Sequence, residues 1–320
     1  MGKRAFKNIF RIIGILFICF LIFLAIICGY LAGTMILVAK ETPQVDTDAL
    51  LSGLNENSTI IDSNGNLIQT LETEEFREIV PYDKIPINLV NAIVSSEDKR
   101  FWEHNGIDFL GILSTFKDLA SSGSLRGAST LTMQTARNTY LNLDVNWERK
   151  IQEIMISLKM EHDLEDKYGK QTAKEKILEA YLNRVFFGQS AYGVQAAAQI
   201  YFSKNVWELD LAQCATIAGV VQAPSDYALY WLYRPSEISD ERILGETTLN
   251  GEKYFAVYND LPYERAKYVL ERMLANGYIT EEEYNEAINE DVAATIKPPV
   301  KRAENLSTYL TAMDRKRIID

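Results

Sequence analysis

The sequence predicts a mainly α-helical domain with a small β-hairpin, preceded by one N-terminal transmembrane helix. Three observations carry that reading. Residues 12–39 contain no charged side chain, a run longer than the roughly 20 residues a helix needs to cross a bilayer. From Pro86 onward apolar residues recur mostly at helical spacing. The clearest strand signal is "TIIDSNGNLIQTL" (59–71), where Asn64-Gly65 divides two apolar runs as a hairpin turn would.

The apolar run is too long for the h-region of a cleaved signal peptide, and no A-x-A site follows it. Lys3, Arg4, Lys7 and Arg11 precede it, which by the positive-inside rule leaves the short N-terminus in the cytoplasm and everything after Lys40 outside. The expected organisation is a tail and anchor (1–40), a polar linker (41–58), a domain (59–295), and a second linker or the start of a missing C-terminal domain (296–320). The polar close "STYLTAMDRKRIID" fits a native end or a linker to a further domain.

Composition narrows the function. The chain carries −11, and residues 1–40 hold five bases and no acid, leaving the exported part at −16. Such a surface repels nucleic acid, so any bases serving an anionic substrate must be gathered locally. Cys19 and Cys28 fall in the span and Cys214 stands alone, so no disulfide framework is available. His104 and His162 are the only histidines, too few for the usual zinc ligand sets.

After the hairpin, "PINLVNAI" starts a helix whose apolar stripe, Ile87, Val90 and Val94, continues to Glu97 and Phe101. A carboxylate on an apolar stripe marks either a buried ion pair or a working acid. "DFLGILSTFKDLASSGSL" (108–125) reads equally as an amphipathic segment touching the membrane and as a core helix with a loop. "GASTLTMQTARN" (127–138) offers Ser129 and Thr130 as caps, with Gln134, Arg137 and Asn138 on one helix face.

"WERKIQEIMISLKM" (147–160) has its apolar stripe at Trp147, Ile151, Ile154, Met155 and Leu158, and sets Arg149 and Lys150 within a turn of Glu153. Two bases around one acid suit an anionic ligand better than a helix staple, because base before acid is the weaker order for a salt bridge. "KILEAYLNRVFFGQSAYGVQAAAQIYFSKN" (176–205) joins an apolar helix to an alanine-rich one, and Arg265 and Lys267 add bases further on. Polar loops are expected near 121–127, 163–172 and 232–262. Ser114-x-x-Lys117 and Ser203-x-Asn205 mimic transpeptidase motifs, but no K-T-G accompanies them; Asp46-x-Asp48 mimics a metal motif inside the linker.

In order, "EDKRFWEHNG", "GASTLTMQTARN", "RKIQE" and "KILEAYLNRVFFG" resemble the successive signature motifs of the peptidoglycan glycosyltransferases, the family of class A penicillin-binding proteins and monofunctional transglycosylases. The resemblance covers roughly residues 59–290. It implies a lysozyme-like fold with a smaller jaw that dips into the membrane. It also implies polymerisation of lipid II, by inverting transfer with release of undecaprenyl diphosphate. Glu97 would be the general base and Glu153 the second carboxylate, near the diphosphate and Mg²⁺ or another divalent cation. Asp98, Ser129, Thr130, Gln134, Arg137, Asn138, Arg149, Lys150, Asn183 and Arg265 would contact substrate. Phe101 and Trp102 would wall the base, and His104 would hold its loop by a hydrogen bond.

The implied partners are lipid II, the growing glycan strand, the membrane and cell-wall synthesis proteins. The implied location is a single-pass cell-membrane protein with its catalytic domain outside. Three positions depart from the family pattern: Val145 stands where many relatives have arginine, Arg137 where lysine is usual, and Met133 where glutamine is usual. Residues 163–172 and 232–262 look like surface insertions. A lysozyme-like glycan hydrolase and a non-catalytic cell-wall scaffold are the competing readings.

Overall fold

The computed structural model describes residues 3–48, 50, 59–61, 67–70, 76–122, 127, 129–141, 146–238, 242–249 and 252–297. The anchor run forms α1 (Lys3–Glu41). Within it, Ile13–Glu41 is long and apolar enough to cross a membrane, and its side chains are almost all exposed. Beyond α1 the chain is strapped to the domain. Tyr140 donates to the carbonyl of Asp46 (2.7 Å), Arg184 donates to that of Leu50 (2.6 Å), and Lys167 pairs with Asp48. Asp46 and Asp48 therefore belong to this strap.

The expected hairpin forms from β1 (Thr59–Ile61) and β2 (Leu67–Thr70), antiparallel with Thr59 opposite Thr70; its Asn64-Gly65 turn lies outside the described residues. A short β3 (Phe76–Arg77) pairs in parallel with β4 (Ala191–Tyr192).

Two helix triplets make the core. The first packs α2 (Ile87–Glu97) against α8 (Leu211–Val220) and α9 (Leu261–Ala275). The second packs α4 (Leu131–Tyr140), α5 (Trp147–Tyr168) and α6 (Lys170–Arg184) against one another. Alanine-rich α7 (Val194–Phe202) packs on α6 and α8, its small side chains allowing the close approach. The chain closes with α10 (Glu281–Asn289) and α11 (Val292–Thr295). Between α2 and α4 lies α3 (Phe109–Ser122), which leaves Phe109, Leu110 and Leu113 exposed.

Four expectations are corrected. Residues 163–172 are not a loop: α5 runs to Tyr168 and α6 begins at Lys170, with Gly169 at φ +79° as the hinge. Their polarity reflects exposed helix surface. Residues 232–262 hold a sheet, β5 (Tyr230–Tyr233), β6 (Ile243–Leu249) and β7 (Glu252–Tyr258), antiparallel in the order β5-β7-β6. Asn250-Gly251 between β6 and β7 was the sequence signal for it.

The stripe on α2 is real at Val90 and Val94, yet Ile87 is 63% exposed and Phe101 lies beyond the helix in a turn, where it is fully buried. On α5 the proposed stripe is the more open face, with Trp147 and Leu158 exposed. The buried face instead carries Glu153, Ile156, Ser157, Met160, Glu161 and Leu164.

A buried carboxylate must find partners, and Glu161 shows how. Lys174 on α6 pairs with its Oε1 at 2.6 Å, and Thr132 on α4 donates to the same oxygen at 2.6 Å. Lys174 also lies 4.4 Å from the ring centroid of Phe101. Burial pulls the lysine pKa down from its ordinary value, and the charge of Glu161 opposes that. One pair thus locks all three helices of the second triplet. Lys174→Met should cost about 3–5 kcal/mol in urea unfolding by stranding Glu161, whereas Lys174→Met with Glu161→Leu should recover most of that loss.

Candidate active site

A cleft of about 460 Å³ opens at the seam between the two triplets. Its lining includes Glu97 from α2, Asp108 just before α3 and Ile112 on it, Ser129 and Gln134 at α4, and Arg265, Tyr268 and Arg272 from α9.

Glu97 is the last residue of α2; the backbone leaves the helix at Asp98 (φ −155°, ψ 73°). A carboxylate at that end opposes the helix macrodipole, so its place must be supported from outside the helix. Gln134 supplies the support, donating from Nε2 to Glu97 Oε2 at 3.1 Å. Gln134 Oε1 in turn accepts from the hydroxyl of Tyr181 at 3.2 Å. Burial, reinforced by the charge of Glu97 and opposed by that of Arg137, keeps the Tyr181 phenol protonated.

The next residue borders the same cleft but is bonded inward. Asp98 is buried, takes His104 Nε2 at 2.9 Å and accepts from the backbone N–H of Leu131 at 2.9 Å. It ties the loop after α2 to the start of α4, and His104 holds that loop as expected. Gly106 completes the loop at φ +86°, where a Cβ would come 2.9 Å from the carbonyl oxygen of Ser157. Thr130 caps α4 by accepting from Met133 N–H at 3.1 Å and donates to the carbonyl of Gly106 at 2.6 Å.

Glu153 is 1% exposed. Arg149 Nε lies 3.3 Å from its Oε1 and Lys150 Nζ 2.8 Å from its Oε2. Lys150 reaches on to Ser129 Oγ at 2.7 Å, which links this cluster to the cleft wall. Both carboxylate oxygens thus face cations. A Mg²⁺ or other divalent cation at Glu153 would share this buried carboxylate, whose Oε1 accepts no hydrogen bond, with Arg149 and Lys150.

Of the expected substrate contacts, the structure gathers Asp98, Ser129, Thr130, Gln134 and Arg265 at the cleft, with Lys150 joined through Ser129. Arg265 extends over Tyr268, 4.4 Å from its ring centroid. Arg137 and Asn138 are half-buried on α4 and bond each other (3.4 Å), outside the lining. Asn183 is not at the site: its amide clamps Val80, donating to the carbonyl (2.8 Å) and accepting from the N–H (2.9 Å). Nor do Phe101 and Trp102 wall the cleft; they stack edge to face under the loop, 5.2 Å apart. Val145 lies outside the described residues. Tyr181, Tyr268, Arg272 and Gln222 were missed, because they come from segments whose spacing reads as plain helix or turn.

The family model described as "Transglycosylase" matches residues 64–247, more than half of the chain. The chain belongs to the transglycosylase family. Among similar proteins are penicillin-binding protein 1A of Clostridium tetani, 34% identical over 291 residues, and of Clostridium perfringens strain 13, 39% over 258. Penicillin-binding protein 1A of Aquifex aeolicus is 35% identical over 304 residues. These alignments cover 89%, 79% and 95% of this chain and 33%, 34% and 34% of those proteins, so the chain spans about a third of the length of each curated relative. The transglycosylase match takes in Glu97, Gln134, Glu153 and Tyr181, while Arg265 and Arg272 on α9 lie beyond it.

If Asp98 holds the loop, then Asp98→Ala strands the Leu131 N–H and should cost about 2–4 kcal/mol in urea unfolding. An unchanged midpoint would return its carboxylate to a substrate-contacting role.

Proposed function

We propose that this chain is a peptidoglycan glycosyltransferase that polymerises lipid II. One observation carries the assignment of roles. Among the described residues Glu97 has no cation paired with it and faces an open cleft, whereas Glu153 has two cations and no exposure. A free carboxylate can take a proton; a doubly paired one holds its cations in place.

Glu97 accepts the proton of the acceptor sugar's 4-hydroxyl as that oxygen attacks the donor's C1. The bond from C1 to the diphosphate oxygen breaks with inversion, and the charge left on undecaprenyl diphosphate is met by fixed cations. Lys150, held between Glu153 and Ser129, is one; Arg265 and Arg272 offer others across the cleft. A glycan hydrolase would have no use for cations converging on the cleft of a chain with net charge −11.

The reading also places the protein at a bilayer, where its lipid-borne substrate resides, with α1 as anchor and the open apolar face of α3 as a second contact. Cell-wall synthesis proteins are the partners expected there.

Purified full-length protein in detergent should consume lipid II and form polymer. Shortening of finished glycan without consumption of lipid II would indicate a hydrolase, and no reaction with either would indicate a scaffold. Glu97→Gln should lower turnover by about 10²–10⁴-fold while leaving donor-analogue binding in place. Glu153→Gln should lose activity that excess Mg²⁺ does not restore, because what it loses is the placement of Arg149 and Lys150; recovery with metal would identify Glu153 as a cation ligand.

Protein lacking residues 1–40 should still bind liposomes, and Leu110→Glu with Leu113→Glu should abolish most of that binding. Undiminished binding would remove α3 from the membrane contact.

A further inference from the structure

Tyr181 stands on α6 with none of its surface exposed, and it is not part of the cleft wall. Its hydroxyl nevertheless reaches the cleft's carboxylate through one intermediary. Tyr181 donates to Gln134 Oε1 at 3.2 Å, and Gln134 Nε2 donates to Glu97 Oε2 at 3.1 Å. The chain runs from α6 through α4 to α2, so it crosses the seam at which the cleft opens.

Donor chemistry sets the direction of this chain. An ionised carboxylate only accepts, so Glu97 must receive the amide's N–H, and the amide oxygen must then face the other way. There it needs a donor, and a phenol that stays protonated is one. With the amide reversed, its oxygen would sit about 3 Å from a carboxylate oxygen with no proton between them, which is repulsive.

We propose that Tyr181 is a positioning residue for Glu97, acting through Gln134. The tyrosine holds the Gln134 amide in the orientation that Glu97 requires. The selected amide then holds the carboxylate, which the helix macrodipole disfavours, facing the cleft. Without the hydroxyl the amide oxygen loses its buried donor, and the amide's hold on the Glu97 carboxylate loosens. The proposal rests on the reading of Glu97 as the base.

The test uses full-length protein in detergent. Tyr181→Phe keeps the ring that fills the core and removes only the hydroxyl. It should lower kcat for lipid II polymerisation about tenfold, as the loss of one buried hydrogen bond implies, and leave KM within about twofold. Gln134→Met removes the middle link, so adding Tyr181→Phe to it should change kcat by less than about twofold. An ordinary packing role for Tyr181 would cost the same in both backgrounds.

A second readout needs no substrate. Gln134 bonds both Tyr181 and Glu97, so thermal unfolding of Tyr181→Phe, Glu97→Gln and the double variant should be non-additive, and a Gln134→Met background should remove that non-additivity. Additive melts, or wild-type kcat in Tyr181→Phe, would overturn the relay. If the wild-type protein makes no polymer, the functional reading fails by itself, and the melts still decide whether the relay exists.

Discussion

The pair between Lys174 and Glu161 is the interaction on which the site depends. A carboxylate buried on α5 is tolerated only because an ammonium from α6 and a hydroxyl from α4 converge on it. Their convergence fixes the three helices against one another, and the N-terminal end of α4 is fixed with them. From that end the fold presents Ser129 and Thr130, and one turn later Gln134. Lys174 also covers Phe101, so the loop that follows Glu97 is pinned by the same group.

The second buried carboxylate of α5, Glu153, lies eight positions earlier on the same face and solves the same problem differently. Its cations come from its own helix. It holds Lys150 beside Ser129 at the edge of the cleft. Two acids on one helix face thus divide between locking helices together and holding a cation at the cleft edge, according to where their partners originate.

Glu97 completes the contrast. It ends a helix at the seam between two triplets, with an amide for support and no cation paired to it among the described residues. The role of base proposed for it suits such a place, because a paired guanidinium or ammonium would keep the carboxylate occupied. The neighbouring Asp98, one position on, is turned inward to His104 and the Leu131 N–H. The change of backbone conformation at Asp98 separates the two roles.

The sequence by itself determined the anchor run, the helical class, the first hairpin and the crowding of Arg149, Lys150 and Glu153, because each is a local pattern whose period or spacing is visible within a few turns. It marked Glu97 as out of place on an apolar stripe. It also carried the Asn250-Gly251 signal for the second hairpin, which the polar surroundings masked. Only the tertiary structure decided which side chains of those motifs reach the cleft. Asn183 sits in the right segment, yet its hydrogen bonds are spent on Val80, and Asp98 borders the cleft with its carboxylate bonded to His104 and the Leu131 N–H. Tyr181, Arg272 and Tyr268 look like ordinary helix residues and arrive at or beside the site through packing of helices distant in sequence. Burial on α5 likewise falls on Glu153 and Glu161 instead of the apolar stripe. A partner from another helix makes a buried charge tolerable, and such a partner cannot be read from the period of one helix.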